Sequence, residues 1–335
     1  MSFASLRFGR RLREPGSGRI PVTIFTGFLG AGKTSLVRRL IDTPEGADAA
    51  IVVNEFGEIG FDQDVLATGA EETVLLGNGC LCCTVRSDLQ ETLRALFIRR
   101  QRGEARFRQV IIETSGLADP GPILQTFMND RALAQEFHLR SLVGVVDAIN
   151  FPALAAGSAI ARKQVALADY VVITKTDLTG SAQIEASLAS VRKLLAGRPA
   201  QVATAHDATA SELLREDINL AARWSGFFAD AAEHDTDIRS FPIFFDEALP
   251  WKPFVQAMRA LIELRAPDLL RVKGLLALQD CQGPVYFHVV QHLVHEPAEL
   301  EAWPTEDRRS RLVFITRNIA PEQIRQLIAA MISLH

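Results

Sequence analysis

Apolar positions in the first part of the chain fall into short runs separated by stretches of helical period. Ile20 to Phe25 is a β-branched apolar run. Similar runs recur at Ala50 to Val53, Val110 to Ile112, Leu142 to Val146, Tyr170 to Ile173 and, more weakly, Gln201 to Thr204. Between them the period lengthens to that of a helix over Lys33 to Ile41, Asp88 to Gln101, Ser158 to Ala168 and Gln183 to Ala196. Continuous apolar runs belong to strands buried on both faces, so the pattern predicts a mostly parallel sheet flanked by helices.

The pattern changes beyond a polar stretch at Asp230 to Asp237. A strand is expected at Phe241 to Phe245 and a helix at Lys252 to Leu264. Strands follow at Leu270 to Leu278, Val285 to Leu293 and Arg311 to Thr316. Pro321 to Leu334 reads as an amphipathic helix, with Ile324, Leu327, Ile328 and Met331 on one face. Strands in direct succession predict a small α+β domain with an antiparallel sheet. The expected organisation is a basic flexible tail over 1–19, an α/β domain over 20–229, a linker over 230–238 and a C-terminal domain over 239–335.

Composition narrows the function classes. A chain of 335 residues holds two domains, and its hydrophobic share of 48% is ordinary for a globular protein. The formal net charge of -4 gives no electrostatic case for nucleic acid or membrane as a partner. No apolar run approaches the roughly 20 residues that span a bilayer. The tail carries Arg7, Arg10, Arg11, Arg13 and Arg19 but lacks the apolar core of a secretory signal. Of the 4 cysteines, Cys80, Cys82 and Cys83 are clustered. That spacing is no disulfide framework and points to a reducing cytoplasm.

The first chemistry lies at the end of the first strand. Gly27-Phe28-Leu29-Gly30-Ala31-Gly32-Lys33-Thr34 fits the phosphate-binding pattern G-x-x-x-x-G-K-[ST] in full, between a strand and a helix. Its glycines let backbone N–H groups turn toward phosphate oxygens, and the helix N-terminus favours their charge. Lys33 would reach the β- and γ-phosphates and Thr34 would ligate magnesium. Glu113, ending Val110-Ile111-Ile112, would hold a magnesium-bound water, and the Gly116 N–H would meet the γ-phosphate. Thr174-Lys175-Thr176-Asp177 follows another buried run. The Asp177 carboxylate can accept both hydrogen bonds of the guanine N1–H and N2–H₂ edge, which adenine lacks. Lys175 would lie along the base, and Thr174 stands where the common GTPase form has asparagine. The nucleotide-binding set is therefore Gly27, Gly30, Ala31, Gly32, Lys33, Thr34, Ser35, Gly116, Thr174, Lys175 and Asp177. The catalytic set is Lys33, Thr34 and Glu113. Asn54 to Asp62, acidic and glycine-punctuated, has the character of a loop that senses the γ-phosphate and its magnesium.

The second chemistry is Cys80-Leu81-Cys82-Cys83. Clustered thiolates suit zinc or copper(I), and they suit redox exchange as well. Ser87-Asp88-Leu89-Gln90 reads as a capping box, so the thiols would stand near a helix N-terminus beside Arg86, where they ionise readily. His288, His292 and His295 invite a second metal reading. On a strand, however, His288 and His292 lie about 13 Å apart, and together with Tyr286 they suit the polar outer face of a half-buried strand.

These motifs occur together and in order, with Glu113-Thr114-Ser115-Gly116-Leu117-Ala118-Asp119-Pro120 between them. The chain resembles the CobW-type family of metal-chaperone P-loop GTPases, relatives of the urease- and hydrogenase-maturation GTPases. Arg271-Val272-Lys273-Gly274 and Trp303-Pro304 with Arg311 to Ile315 resemble that family's C-terminal domain. The resemblance implies a P-loop GTPase domain over 20–229 and slow GTP hydrolysis with Mg²⁺. It also implies delivery of Zn²⁺, or Co²⁺, to a client metalloprotein or metal-cofactor biosynthesis enzyme, and it is compatible with a homodimer. Carried over by position, Cys80, Cys82 and Cys83 would be the metal thiolates and Glu58 a supplementary ligand. Two other classes compete with this reading: an ATP-dependent P-loop kinase, and a non-enzymatic zinc-binding or redox-sensing module.

Overall fold

The computed structural model describes residues 18–54, 73–75, 84–129, 131–195, 201–214, 238–265, 267–290, 293–294, 297–300, 302–303 and 305–334. Most of the expected N-terminal tail over 1–19 and of the expected linker over 230–238 lies outside these residues, as do Glu58, Cys80, Cys82, Cys83, His292, His295 and all of the Asn54-to-Asp62 loop beyond Asn54. Backbone contacts divide the chain into two compact units.

The first unit is built on a seven-stranded sheet of order β3-β2-β4-β1-β5-β6-β7. Its strands are β1 (Ile20–Thr26), β2 (Ala49–Asn54), β3 (Thr73–Leu75), β4 (Gln109–Thr114), β5 (Phe137–Asp147), β6 (Tyr170–Thr174) and β7 (Gln201–Thr204). Every pairing is parallel. All residues of β1 and β4 are buried, as expected of central strands covered on both faces. Leu36, Val37, Leu40 and Ile41 of the helix Lys33–Ile41 pack into the same core as Phe25, Ile51, Val53 and Ile111.

The chain leaves β1 toward β2 on one side of the sheet and leaves β5 toward β6 on the other. The carboxyl ends of β1 and β5 therefore flank a topological switch point, where ligands of such sheets collect. Register carries other candidates to the same end. Phe25 pairs with Glu113, Asn54 with Thr114, Val53 with Leu75 and Asp147 with Thr174.

The second unit is an antiparallel sheet of order β11-β10-β9-β13-β8, with β12 paired to β10. The strands are β8 (Ile238–Phe245), β9 (Leu269–Leu276), β10 (Val285–Val290), β11 (Leu293–Val294), β12 (Ala298–Glu299) and β13 (Ser310–Arg317). The helices Trp251–Arg265 and Pro321–Ser333 cover one face, meeting Ile243, Val272, Val285, Phe287, Leu312 and Phe314 in a continuous core.

Several elements depart from the sequence pattern. The expected strand Val285 to Leu293 is split, because Val290 pairs back on Leu293 and the apolar run folds on itself. His288 shares its strand face with Tyr286, yet it is buried rather than solvated, and it pairs with Lys273. That face carries a smaller apolar layer, in which Tyr286, Leu300 and Trp303 pack on Leu275 and Val313. The helix after the cysteines starts at Thr84, one turn before the capping box at Ser87.

Candidate functional site

The phosphate loop is shaped by two glycine positions. A Cβ on Gly27 would collide with the Val145 carbonyl of β5, so the loop can pass that strand only without a side chain. Gly32 caps the helix in the left-handed region at φ 87°, a conformation that costs other residues strain. Leu29, Gly30 and Ser35 are exposed around the loop, while Ala31 is buried. Lys33 is 8% exposed and folds back over the loop, where its ammonium donates to the carbonyls of Gly27 at 2.9 Å and Phe28 at 3.3 Å.

The Thr34 hydroxyl donates to Glu113 Oε1 at 2.6 Å. The contact follows from topology, since β1 and β4 are neighbours with Phe25 opposite Glu113, and the loop returns Thr34 over that strand end. Glu113 is 4% exposed. A buried carboxylate touching a threonine hydroxyl is a pair of hard oxygen donors, and such donors fit magnesium. Thr114 and Thr26 sit hydroxyl to hydroxyl at 3.2 Å one residue further on. Gly116 packs so closely on the Leu29 backbone that a Cβ would lie 2.6 Å from its nitrogen. The loop after β4 thus rests directly on the phosphate loop.

Thr174, Lys175 and Asp177 gather at the end of β6 with different roles. Thr174 is buried, and its hydroxyl donates to the Ala31 carbonyl at 2.6 Å while lying 3.1 Å from that of Val146. It braces the phosphate loop. Lys175 adopts the left-handed conformation at φ 57° and pairs with Asp147 Oδ2 at 2.5 Å. Asp177 lies in the turn Thr176–Leu178 and is exposed.

Asp147 is the residue that the apolar runs left out. Burial pushes its carboxyl up, but the Lys175 hydrogen bond, the Ile149 N–H and the Asn150 side-chain amide together hold it below the usual carboxylate range. Its signal in the sequence was an acid ending the run Leu142 to Val146. Its partner becomes visible only once β5 and β6 are adjacent. A small pocket at the switch point is lined by Gly27, Phe28, Val145, Asp147, Asn150 and Gln164, among others.

Among the described residues, no group of three or more His, Cys, Asp or Glu side chains could hold a metal ion. Cys281, of the second unit, is the one described cysteine; burial pushes its thiol up, with Glu299 and Asp280 acting in the same direction. A raised pKa lowers the share of reactive thiolate.

Comparison with known proteins agrees with this geometry along most of the chain. Residues 21–201 match the family model described as "CobW/HypB/UreG, nucleotide-binding domain". Residues 238–332 match "Cobalamin synthesis protein cobW C-terminal domain". The chain is 32% identical over 325 residues to the zinc chaperone YjiA of Escherichia coli, covering 93% of this chain and 98% of that one. It is 40% identical over 182 residues to the zinc-regulated GTPase metalloprotein activator 1 of Schizosaccharomyces pombe, covering 52% of this chain and 43% of that one. The crystal structure of Zn(II)-bound YjiA GTPase from E. coli is similar with a TM-score of 0.68 at 27% identity, covering 93% of this chain and 99% of that one.

Proposed function

This chain belongs to the CobW/HypB/UreG family, and from that premise we propose a GTP-hydrolysing metallochaperone that carries zinc, or cobalt, to a client metalloprotein or metal-cofactor biosynthesis enzyme. It is a P-loop GTPase. The observation that carries the reading is the 2.6 Å contact between Thr34 and Glu113 at the mouth of the phosphate loop.

In this account the loop from Gly27 to Gly32 takes the phosphates on its backbone N–H groups, and Lys33 turns from its own carbonyls to the β- and γ-phosphates. Thr34 would ligate magnesium and Glu113 would hold a water bound to it, and the ion would offset charge on the phosphate oxygens. Gly116 presents its N–H to the third phosphate. Asp177 accepts from guanine, and Lys175, steadied by Asp147, lies along the base. Thr174 contributes by fixing Ala31. Slow intrinsic turnover is part of this reading, as the family resemblance implies.

The cargo, zinc or cobalt, is taken by Cys80, Cys82 and Cys83 with Glu58 in support. The zinc chaperones and the Zn(II)-bound GTPase among its relatives support this reading. Connectivity supports it as well. The chain enters the cysteine segment from Leu75, which is in register with Val53 and so with the Glu113 end of the sheet, and it leaves directly into the helix starting at Thr84. The Asn54-to-Asp62 loop departs from that same end, opposite Thr114. Nucleotide state would gate the metal through these shared attachments.

Turnover of GTP with magnesium tests the first half of the proposal. GTP should be hydrolysed and should outcompete ATP, and Lys33→Ala should abolish nucleotide binding while zinc binding persists. Equal competition by ATP would point to the kinase class instead.

A further inference from the structure

The helix Ala159–Leu167 carries polar side chains that the nucleotide chemistry above does not use. Gln164 lies within it and is 1% exposed. Its amide nitrogen donates to the carbonyls of Gly116 at 3.2 Å and Ala118 at 3.1 Å. Two carbonyl oxygens facing one atom identify that atom as the nitrogen, since an oxygen there would be repelled. The preceding residue, Lys163, pairs with Asp119 at 2.6 Å, and Asp119 accepts the Gly121 N–H at 2.9 Å. One turn of helix therefore grips the loop after β4 at Gly116, Ala118 and Asp119.

Packing alone does not account for a glutamine at this position. Its Oε1 is buried with no hydrogen-bond partner among the described residues. An apolar side chain of similar size would avoid that desolvation cost. The two carbonyls it holds belong to the loop whose Gly116 lies against the Leu29 backbone. In a trans peptide C=O and N–H point in opposite directions, so holding the Gly116 carbonyl toward the helix turns the Leu117 N–H away from it. The peptide planes of this loop are thereby fixed beside the phosphate loop. The same helix runs through Ala168 and Asp169 into β6, which ends in Thr174 and its bond to Ala31.

We propose that Gln164 is a positioning residue: it fixes the loop Ser115 to Asp119 against the phosphate loop and so sets the preference for nucleoside triphosphate over diphosphate. The assignment rests on the GTPase reading above, in which Gly116 meets the third phosphate. A diphosphate does not extend to this loop, so its affinity is spared when the grip is lost.

The test is the dissociation constant of GDP and of a non-hydrolysable GTP analogue, each with magnesium, for the full chain and two variants. Gln164→Leu should weaken the analogue about tenfold relative to GDP and leave GDP within about twofold, the scale of two neutral hydrogen bonds. Lys163→Ala should move the ratio in the same direction by less, and it decides the matter if the first variant does not fold. An unchanged ratio, or a parallel loss of both nucleotides, would overturn the assignment. If the unaltered chain fails to bind the analogue, the GTPase reading itself falls. If it binds and the variants keep its ratio, only the role of Gln164 falls.

Discussion

The hydroxyl of Thr174 donates to the carbonyl of Ala31 at 2.6 Å, which ties the turn after β6 to the loop after β1. The residue that begins the guanine-type motif therefore acts on the phosphate loop. Replacing Thr174 with valine keeps the shape but leaves a buried carbonyl without its donor, a loss of about 1–3 kcal/mol. Competition binding should show GTP and ATP weakened alike, with their ratio unchanged. Asp177→Asn should do the reverse, relaxing the ratio while phosphate affinity stays. If Thr174→Val alters the ratio, the hydroxyl reads the base after all.

Glu113 and Thr34 give a second prediction. Glu113→Gln keeps a hydrogen-bond acceptor beside Thr34 but removes the charge that suits a divalent cation. GDP affinity without magnesium should hold, while the turnover number falls on the order of a hundredfold, as when one electrostatic group is removed from a site. Steady-state kinetics across a magnesium titration would check this. Unchanged turnover would remove Glu113 from the catalytic set.

Lys175 depends on Asp147. Asp147→Asn removes the ionic half of a charge-assisted hydrogen bond and frees the lysine to swing from the left-handed turn. Guanine nucleotides should bind about tenfold more weakly, with the fold retained, a loss on the scale of one charge-assisted bond. Measuring GDP affinity and thermal unfolding on the same sample separates a lost anchor from a lost fold.

Acid should destabilise the chain in two separate windows. His138, in β5, has a pKa pushed from 6.5 down to about 4 by burial and by the charges of Arg19 and Arg140. Its neutral form is favoured in the fold, so the unfolded chain binds the proton first. Its contribution is flat above 6.5 and declines as pH falls from there toward about 4. Asp147, held below its ordinary value of 3.8, contributes stability above that value and loses it as pH falls further. His138→Gln should flatten the dependence of the unfolding midpoint on pH in the upper window and leave the lower one unchanged.

Much of this site was readable before the fold was known, because a phosphate loop is a local object. Gly27, Gly32, Lys33 and Thr34 take their proposed roles from a few consecutive residues between a strand and a helix. Glu113 was readable as an acid ending an apolar run. Asp147 has a similar signal but gains its meaning from Lys175, far along the chain, once β5 and β6 are adjacent. Gln164 left no local signal, since a glutamine inside a helix is ordinary until two loop carbonyls are seen to face it. Strand β3, only three residues long, is too short to produce a pattern. The split of Val285 to Leu293 into two strands was hidden because both halves are equally apolar. The sequence pattern puts His288 on a solvated face, whereas it is buried, on the face where Tyr286, Leu300 and Trp303 pack on Leu275 and Val313.

If nucleotide state gates the metal, zinc affinity depends on which nucleotide is bound, and chelator competition measures that dependence. The zinc dissociation constant would be determined for the full chain with magnesium and either GDP or a non-hydrolysable GTP analogue, with Cys82→Ala as control. Reciprocal linkage requires the two states to differ in zinc affinity if one ligand gates the other. A difference of about tenfold or more is expected, which is about 1.4 kcal/mol, together with its loss in the Cys82→Ala variant while GTP still binds. Tight and equal zinc binding in both states would make the metal structural and contradict the delivery cycle.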